Sequence, residues 1–450
     1  GNGTGQLYLN STTALSDVTL TNPINLAGGA RTITVFDNGT ATTDFATLSG
    51  VISGGGGSSL TKSGAGTLYI TGANTYSGNT TLSAGNVFVN SVGGGATAAS
   101  AFGDGLGQVN LAGASLYYVG SGETAMRQMN LNANTLITAN GSGALVLGNL
   151  VNATAGAKAL TLRGYSMDMN TISSALRDNA GALSITKSDG GTWVLSGASS
   201  YTGGTTINAG FLGTPAASVG PTSGAFGAGS ITFASNQLGG LIAMNAGGLT
   251  INNPLIFGAN GTPTFSGSSV NLVGSGATPI VLQSAGNWNI NNTTSGGVTF
   301  SGAINSQAVG NQDLNLLGPG NYVFNTPVVS VTAAGLVRAV VNTLGSVTFN
   351  NAAATNTQGI LMNQGTVIMN AAQPFMAAGQ TGGIVNMVAG TLQSANAALT
   401  TGANALQTPL VLTNWYGVID GTNSIEFVGN ATRANSLENN GANRMLTNTL

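Results

Sequence analysis

Cysteine and histidine are both absent from this chain of 450 residues. Without cysteine there is no disulfide framework and no thiolate metal site, and without either residue histidine- or cysteine-based catalysis is excluded. Charge is scarce: 5% of residues are Asp, Glu, Lys or Arg, against roughly 25% in an ordinary soluble domain. The ten basic residues are scattered from Arg31 to Arg444. They form no cluster able to displace phosphate counterions, so no nucleic-acid partner is expected. The net charge of −2 creates no long-range field. No apolar run approaches the roughly 20 residues that a helix needs to cross a bilayer. No sustained 3.6-residue apolar period occurs, so helices longer than two turns are not expected. Gly1 carries neither an initiator methionine nor a signal peptide, and the chain reads as a mature or excised segment.

Glycine reaches 71 residues, while hydrophobic residues make up 42%. Disorder pairs low hydrophobicity with high charge; here the balance is reversed and a buried core is expected. The dominant signal is internal repetition. Residues 60–85, LTKSGAGTLYITGANTYSGNTTLSAG, align without a gap on residues 185–210, ITKSDGGTWVLSGASSYTGGTTINAG, with 13 identities. The matched positions are Lys62 with Lys187, Gly66 with Gly191, Gly72 with Gly197, Tyr76 with Tyr201, Gly78 with Gly203, Thr80 with Thr205 and Gly85 with Gly210. A worn copy, Leu314–Phe324, keeps only the first half of the motif. The repeat elements thus lie at 60–89, 185–214 and 314–324, within about three and a half super-repeats that form one continuous solenoid over 1–450.

Each copy reads strand, turn, strand. Thr67-Leu68-Tyr69-Ile70 alternates polar and apolar residues at the two-residue period of a β-strand. Gly, Asn and Ser fill the intervals, as turns require, and Asn-Gly pairs at Asn38, Asn140, Asn260 and Asn440 mark turns. A sandwich or propeller would also use short strands. A propeller blade, however, would show a crisper period of about 40–50 residues. The long, irregular unit with variable insertions favours an all-β solenoid of stacked coils, a single elongated rod.

The pattern S-G-x-G-T-L-x-L-x-G-x-N-x-Y-x-G-x-T-x-L-x-A-G, carried by residues 63–85 and 188–210, resembles the autotransporter-associated β-strand repeat, also called the passenger-associated transport repeat. The second copy departs from it at Asp189 and Ser199. The resemblance implies a right-handed parallel β-helix, export across a bacterial envelope, and an extracellular or cell-surface life as a stalk, adhesin or matrix fibre.

Several residues are singled out. The glycines Gly66, Gly72, Gly78, Gly85, Gly191, Gly197, Gly203 and Gly210 are expected at turns needing positive φ. Tyr76 and Tyr201 are expected to cover coil corners and to hydrogen-bond to backbone, with Thr80 and Thr205 as further repeat positions. Trp193 replaces Leu68 and is expected in the core or half covered. Trp288, Trp415 and Tyr416 have no repeat partner and are the candidates for an aromatic contact patch. The twelve carboxylates lie no closer than five residues apart, so no glycosidase pair or metal cluster is legible. Gly103-Asp104-Gly105 reads as a solvated turn, and no cofactor or metal is expected.

These features point to a structural or adhesive module that is not an enzyme. Its partners would be other copies of itself, in a fibre or matrix, or a surface glycan, host or neighbouring cell. A carbohydrate-binding or carbohydrate-active β-helix is the alternative. Neither terminus reads as a capping coil, so either the chain is cut from a longer solenoid, as in a surface stalk, or its ends are covered by other copies in a fibre built by end-to-end contact, toward which the low charge leans.

Overall fold

The structure, a computed structural model, describes residues 5–93, 99–275, 279–283, 286–307, 310, 312–326, 328–330, 337–350, 357–370, 384–394, 410–421, 438–439 and 445–448. The described residues are all β with no helix, and their strands stack as a parallel β-solenoid. Among the described residues no helix is long and apolar enough to cross a membrane.

Two compact units divide the chain. One comprises 1–214 and 222–229, the other 215–221 and 230–450.

In the first unit the period-two pattern becomes burial. Thr67–Ile70, Asn86–Val89 and Ser115–Tyr118 each alternate half-buried and buried residues. Consecutive coils pair in register, so one side chain lies directly over the next. Leu68, Val87, Leu116, Ile137 and Leu162 form one such inward column, and all are fully buried. Each such side chain contributes about 1.5–3 kcal/mol by leaving water. Coil length varies: stacked partners are 19 residues apart at Thr67 and Asn86, 29 at Thr81 and Asn110, and 20 at Asn110 and Asn130.

Variable coil length has a consequence that the gapless repeat did not reveal. The first copy's strand Ser59–Ser63 pairs with Ala30–Val35 and Thr80–Leu82. Its second strand, Thr67–Ile70, follows Val18–Leu20 and Ala46–Leu48 in the column that runs on through 86–89, 115–118, 135–139 and 158–163 to Leu183–Lys187. Leu183–Lys187 is the first strand of the second copy. The two copies therefore lie one side out of phase around the coil, because Ser121–Ala125 opens an additional column.

The second unit is also a stack of parallel strands. Its core contains an aromatic ladder in which Phe300, Phe324 and Phe349 stack with centroids 4.6 and 5.0 Å apart. Asn271, Ser301, Asn325, Asn350 and Asn370 are linked by side-chain hydrogen bonds from coil to coil.

Candidate functional site

The repeat builds its own polar core. Period-two alternation places Lys62 on the inward side with Leu60, between Ile33 and Leu82 of the adjoining coils. Lys187 likewise sits between Leu162 and Ile207. Both side chains are fully buried, at 1% and 0% exposure. A buried ammonium is tolerated only where its protons are matched by acceptors. Lys62 Nζ donates to Ser63 O (2.9 Å), Gly64 O (2.8 Å) and Ala84 O (3.0 Å). Lys187 Nζ donates to Ser188 O (2.7 Å), Asp189 O (2.7 Å) and Ala209 O (3.0 Å). In each case the third carbonyl belongs to the next coil, so the lysine ties two coils together. The worn copy has Leu316 at this position. There Thr343 from the next coil donates its hydroxyl to the corner carbonyls of Gly318 and Gly320, both at 2.8 Å.

Burial pushes both ammonium groups down to about 8 from 10.5. From about pH 8 upward the unfolded chain then holds more protons than the folded one, so stability should rise with pH. Near pH 10 the slope should reverse. Burial holds Tyr76 up at about 12, and it raises Tyr201 and Tyr322 as well, so the unfolded chain loses those protons first. Urea titrations at a series of pH values are expected to place maximum stability near pH 10. Stability falling steadily from pH 8 would contradict the assignment.

The repeat glycines act in two ways. Gly85 and Gly210 adopt φ of +73° and +67°, the left-handed conformation that glycine favours. For the other six, positive φ is not the reason. Chain passes so close that a Cβ would collide with a backbone carbonyl of the preceding coil. For Gly72 it would lie 2.5 Å from Gly50 O and for Gly203 2.5 Å from Leu183 O, while Gly78 would place it on Ser58 O. Gly66, Gly191 and Gly197 meet Phe36, Ser166 and Ser174 in the same manner.

Tyr76 and Tyr201 are fully buried rather than corner covers. Their hydroxyls bond to side chains, not backbone: Tyr76 to Thr80 and Tyr201 to Thr205, each at 2.6 Å. Over each ring folds a segment that the aligned motif stops short of, Ala101-Phe102-Gly103 in one copy and Ala225-Phe226-Gly227 in the other. Gly103 and Gly227, with φ of +89° and +68°, donate their N–H to Ser100 O and Gly224 O and leave no room for a Cβ against Tyr76 and Tyr201. Phe102 and Phe226 are fully buried. Isolated antiparallel bridges, Asn74 with Ser100 and Ser199 with Gly224, fix the return. The recurring Ala-Phe-Gly was the available sequence signal. Tyr201→Phe should cost about 1–2 kcal/mol, because Thr205 loses a buried partner. A melting-temperature change indistinguishable from zero would show that the hydroxyl pair is idle.

The proposed contact patch is corrected at Trp288, which is 1% exposed with its indole N–H donating to Gln283 O at 2.9 Å. A ring packed inside the coil offers no contact face. Trp415 and Tyr416 lie on strand Leu410–Gly421, but their side chains fall outside the described residues, as do those of Asp420 and Glu438. Glu426 and the Asn440 turn also lie outside them. Trp193 is buried, and its indole N–H donates to Arg163 O at 2.9 Å.

Three of the described carboxylates, Asp178, Glu123 and Asp104, hold backbone. Asp178 accepts from Leu183 N (2.8 Å) and from Thr202 N and Oγ1 (3.1 and 2.6 Å). Glu123 accepts from Val92 N and Gly93 N, and Asp104 from Leu106 N at 3.0 Å within its turn. Among the described residues no three metal-ligating side chains converge.

The outward face of the first unit carries a stripe. Tyr69, Phe88 and Tyr117 stand over one another with centroids 4.6 and 4.3 Å apart, and Phe45 meets Tyr69 edge-on. Because the rings stack along the coils, their faces cover each other and their edges meet solvent.

The repeats that pin this parallel β-solenoid have counterparts among known proteins. Residues 60–87 and 185–212 match the passenger-associated-transport-repeat family. Over 179 residues, 38% of this chain, the sequence is 33% identical to the adhesin BmaC autotransporter of Brucella suis biovar 1 (strain 1330). The match spans 5% of that relative's length. No solved structure matches. The repeats and the relative mark this chain as an exported cell-surface protein.

Proposed function

We propose that this chain is an adhesive passenger module: a non-enzymatic surface solenoid whose outward faces meet another surface. The observation that carries the reading is the use of the repeat's polar residues. Lys62, Tyr76, Thr80 and their counterparts are all buried and bonded to the chain itself, so the repeats serve the scaffold and contact falls to the outer side chains. The relative named as an adhesin supports the same role. Its partner would be a host, neighbouring-cell or glycan surface. Beads coated with the purified chain should bind bacterial or host cells more than beads coated with an unrelated β-solenoid. Equal retention of both would overturn the proposal.

Self-association into a fibre is a finer reading, favoured by the low charge, which puts little repulsion between copies. It requires concentration-dependent sedimentation; a single species across a hundredfold dilution range would remove it.

A further inference from the structure

The two repeat copies differ where Gly64 is replaced by Asp189 and Leu68 by Trp193, and in the second copy both replacements meet Arg163. Asp189 keeps the left-handed backbone of Gly64, at φ +60° against +76°. That conformation is uncommon for a residue with a side chain. The carboxylate is held by Arg163, from Nε at 2.9 Å and Nη2 at 3.1 Å, and by Gly164 N at 3.2 Å. Trp193 fixes the same residue from beneath through Arg163 O. A corner that glycine satisfies in the first copy thus becomes, in the second, a fixed arginine–carboxylate pair at the surface. The Arg163 side chain remains 40% exposed.

Aromatic rings flank this pair. Tyr165, two residues on, is 70% exposed, while its backbone N–H is anchored to Asn140 Oδ1 at 3.0 Å. Tyr117 stands two coils before Arg163 on the same outward column, with Thr138 between them. The Tyr165 ring lies beside Gly190, the residue after Asp189: a Cβ built there would stand 3.7 Å from Tyr165 Cδ1. Neither tyrosine hydroxyl has a hydrogen-bond partner among the described residues.

We propose that Arg163, Asp189, Tyr117 and Tyr165 form a binding site for an uncharged, hydroxyl-rich sugar ring. This rests on the adhesive reading and names its partner class. Tyr165 offers a ring face to the apolar C–H side of a sugar. Arg163 presents its remaining guanidinium N–H donors to the hydroxyls, while Asp189, 14% exposed and already accepting from Arg163 Nε, Arg163 Nη2 and Gly164 N, fixes its orientation. Asp189 neutralises Arg163 and would repel a carboxylate or phosphate, so the site selects against anions. One ring on an open surface binds in the millimolar range, which an array of displayed copies multiplies.

The chain has three tryptophans, so its indole N–H signals in ¹⁵N NMR report the site directly. Cellobiose, maltose, lactose and chitobiose, each titrated to 50 mM, are the probes, with 3′-sialyllactose as the anionic control and an acidic and a basic hexapeptide as the alternative class. At least one neutral disaccharide should shift the Trp193 indole signal and leave that of Trp288 in place. Tyr165→Ala should weaken the shift at least tenfold, with an unchanged melting temperature. No shift with any disaccharide, a shift only with the anion or a peptide, or one that survives Tyr165→Ala would each overturn the site. The bead assay separates this from the adhesive reading: Tyr165→Ala beads that still bind cells sink the sugar site alone, whereas wild-type beads that never bind sink the adhesive reading.

Discussion

Gly78→Val is expected to unfold the coils around the first repeat, at a cost exceeding about 4 kcal/mol. The new Cβ would overlap the Ser58 carbonyl, and the Ser58 carbon and Ser59 nitrogen stand immediately behind it. These are backbone atoms at the entry to the paired strand Ser59–Ser63, so no rotamer change can relieve the clash. Coils depend chiefly on their neighbours, so the damage should be local. Amide exchange should accelerate first in Ser59–Ser63 and Thr80–Leu82. Gly55→Ala provides the contrast. No atom lies within 4 Å of its Cβ position, and its effect should stay within about 0.5 kcal/mol. Equal urea midpoints for the two variants would show that the close approach is not a constraint.

Lys62→Met should cost about 3 kcal/mol. Methionine matches the lysine stem in length, so packing is nearly kept, but three carbonyls lose their donor, and each buried unpaired group costs about 1–3 kcal/mol. Removing a desolvated charge offsets part of that loss. Lys187→Met should behave alike, since Lys187 makes the same three kinds of contact. A methionine variant as stable as the parent would show that the ammonium is dispensable and that the worn copy's Leu316 needs no compensation from Thr343.

The strands and turns were legible because an alternating pattern on a one-sided sheet has one reading, as at Thr67–Ile70 and Asn86–Val89. The burial of Lys62 was also written in that alternation. Charge, however, ordinarily argues for the surface, and the carbonyls that reverse the argument come from a turn and from the next coil. At Gly78 turn chemistry suggests positive φ, whereas the constraint is clearance: proximity to Ser58 exists only once the coils stack. Trp288 has no repeat partner to show which way it faces, and its burial follows from the alternation of strand Trp288–Asn292, which turns Trp288, Ile290 and Asn292 inward. The Arg163 site was invisible because Arg163 and Asp189 are 26 residues apart, a spacing set by a coil length that varies along the chain.

The most direct test of this account is the titration of the lysines, of which the chain has only three, Lys62, Lys158 and Lys187. With ¹³Cε- and ¹⁵Nζ-labelled lysine, the Lys62 and Lys187 signals should both titrate near pH 8, exchange their ammonium protons slowly, and lose that protection together with the fold in urea. Signals titrating near 10.4 with rapid exchange, as in an exposed lysine, would place both side chains in water and contradict a solenoid pinned from within by its repeats.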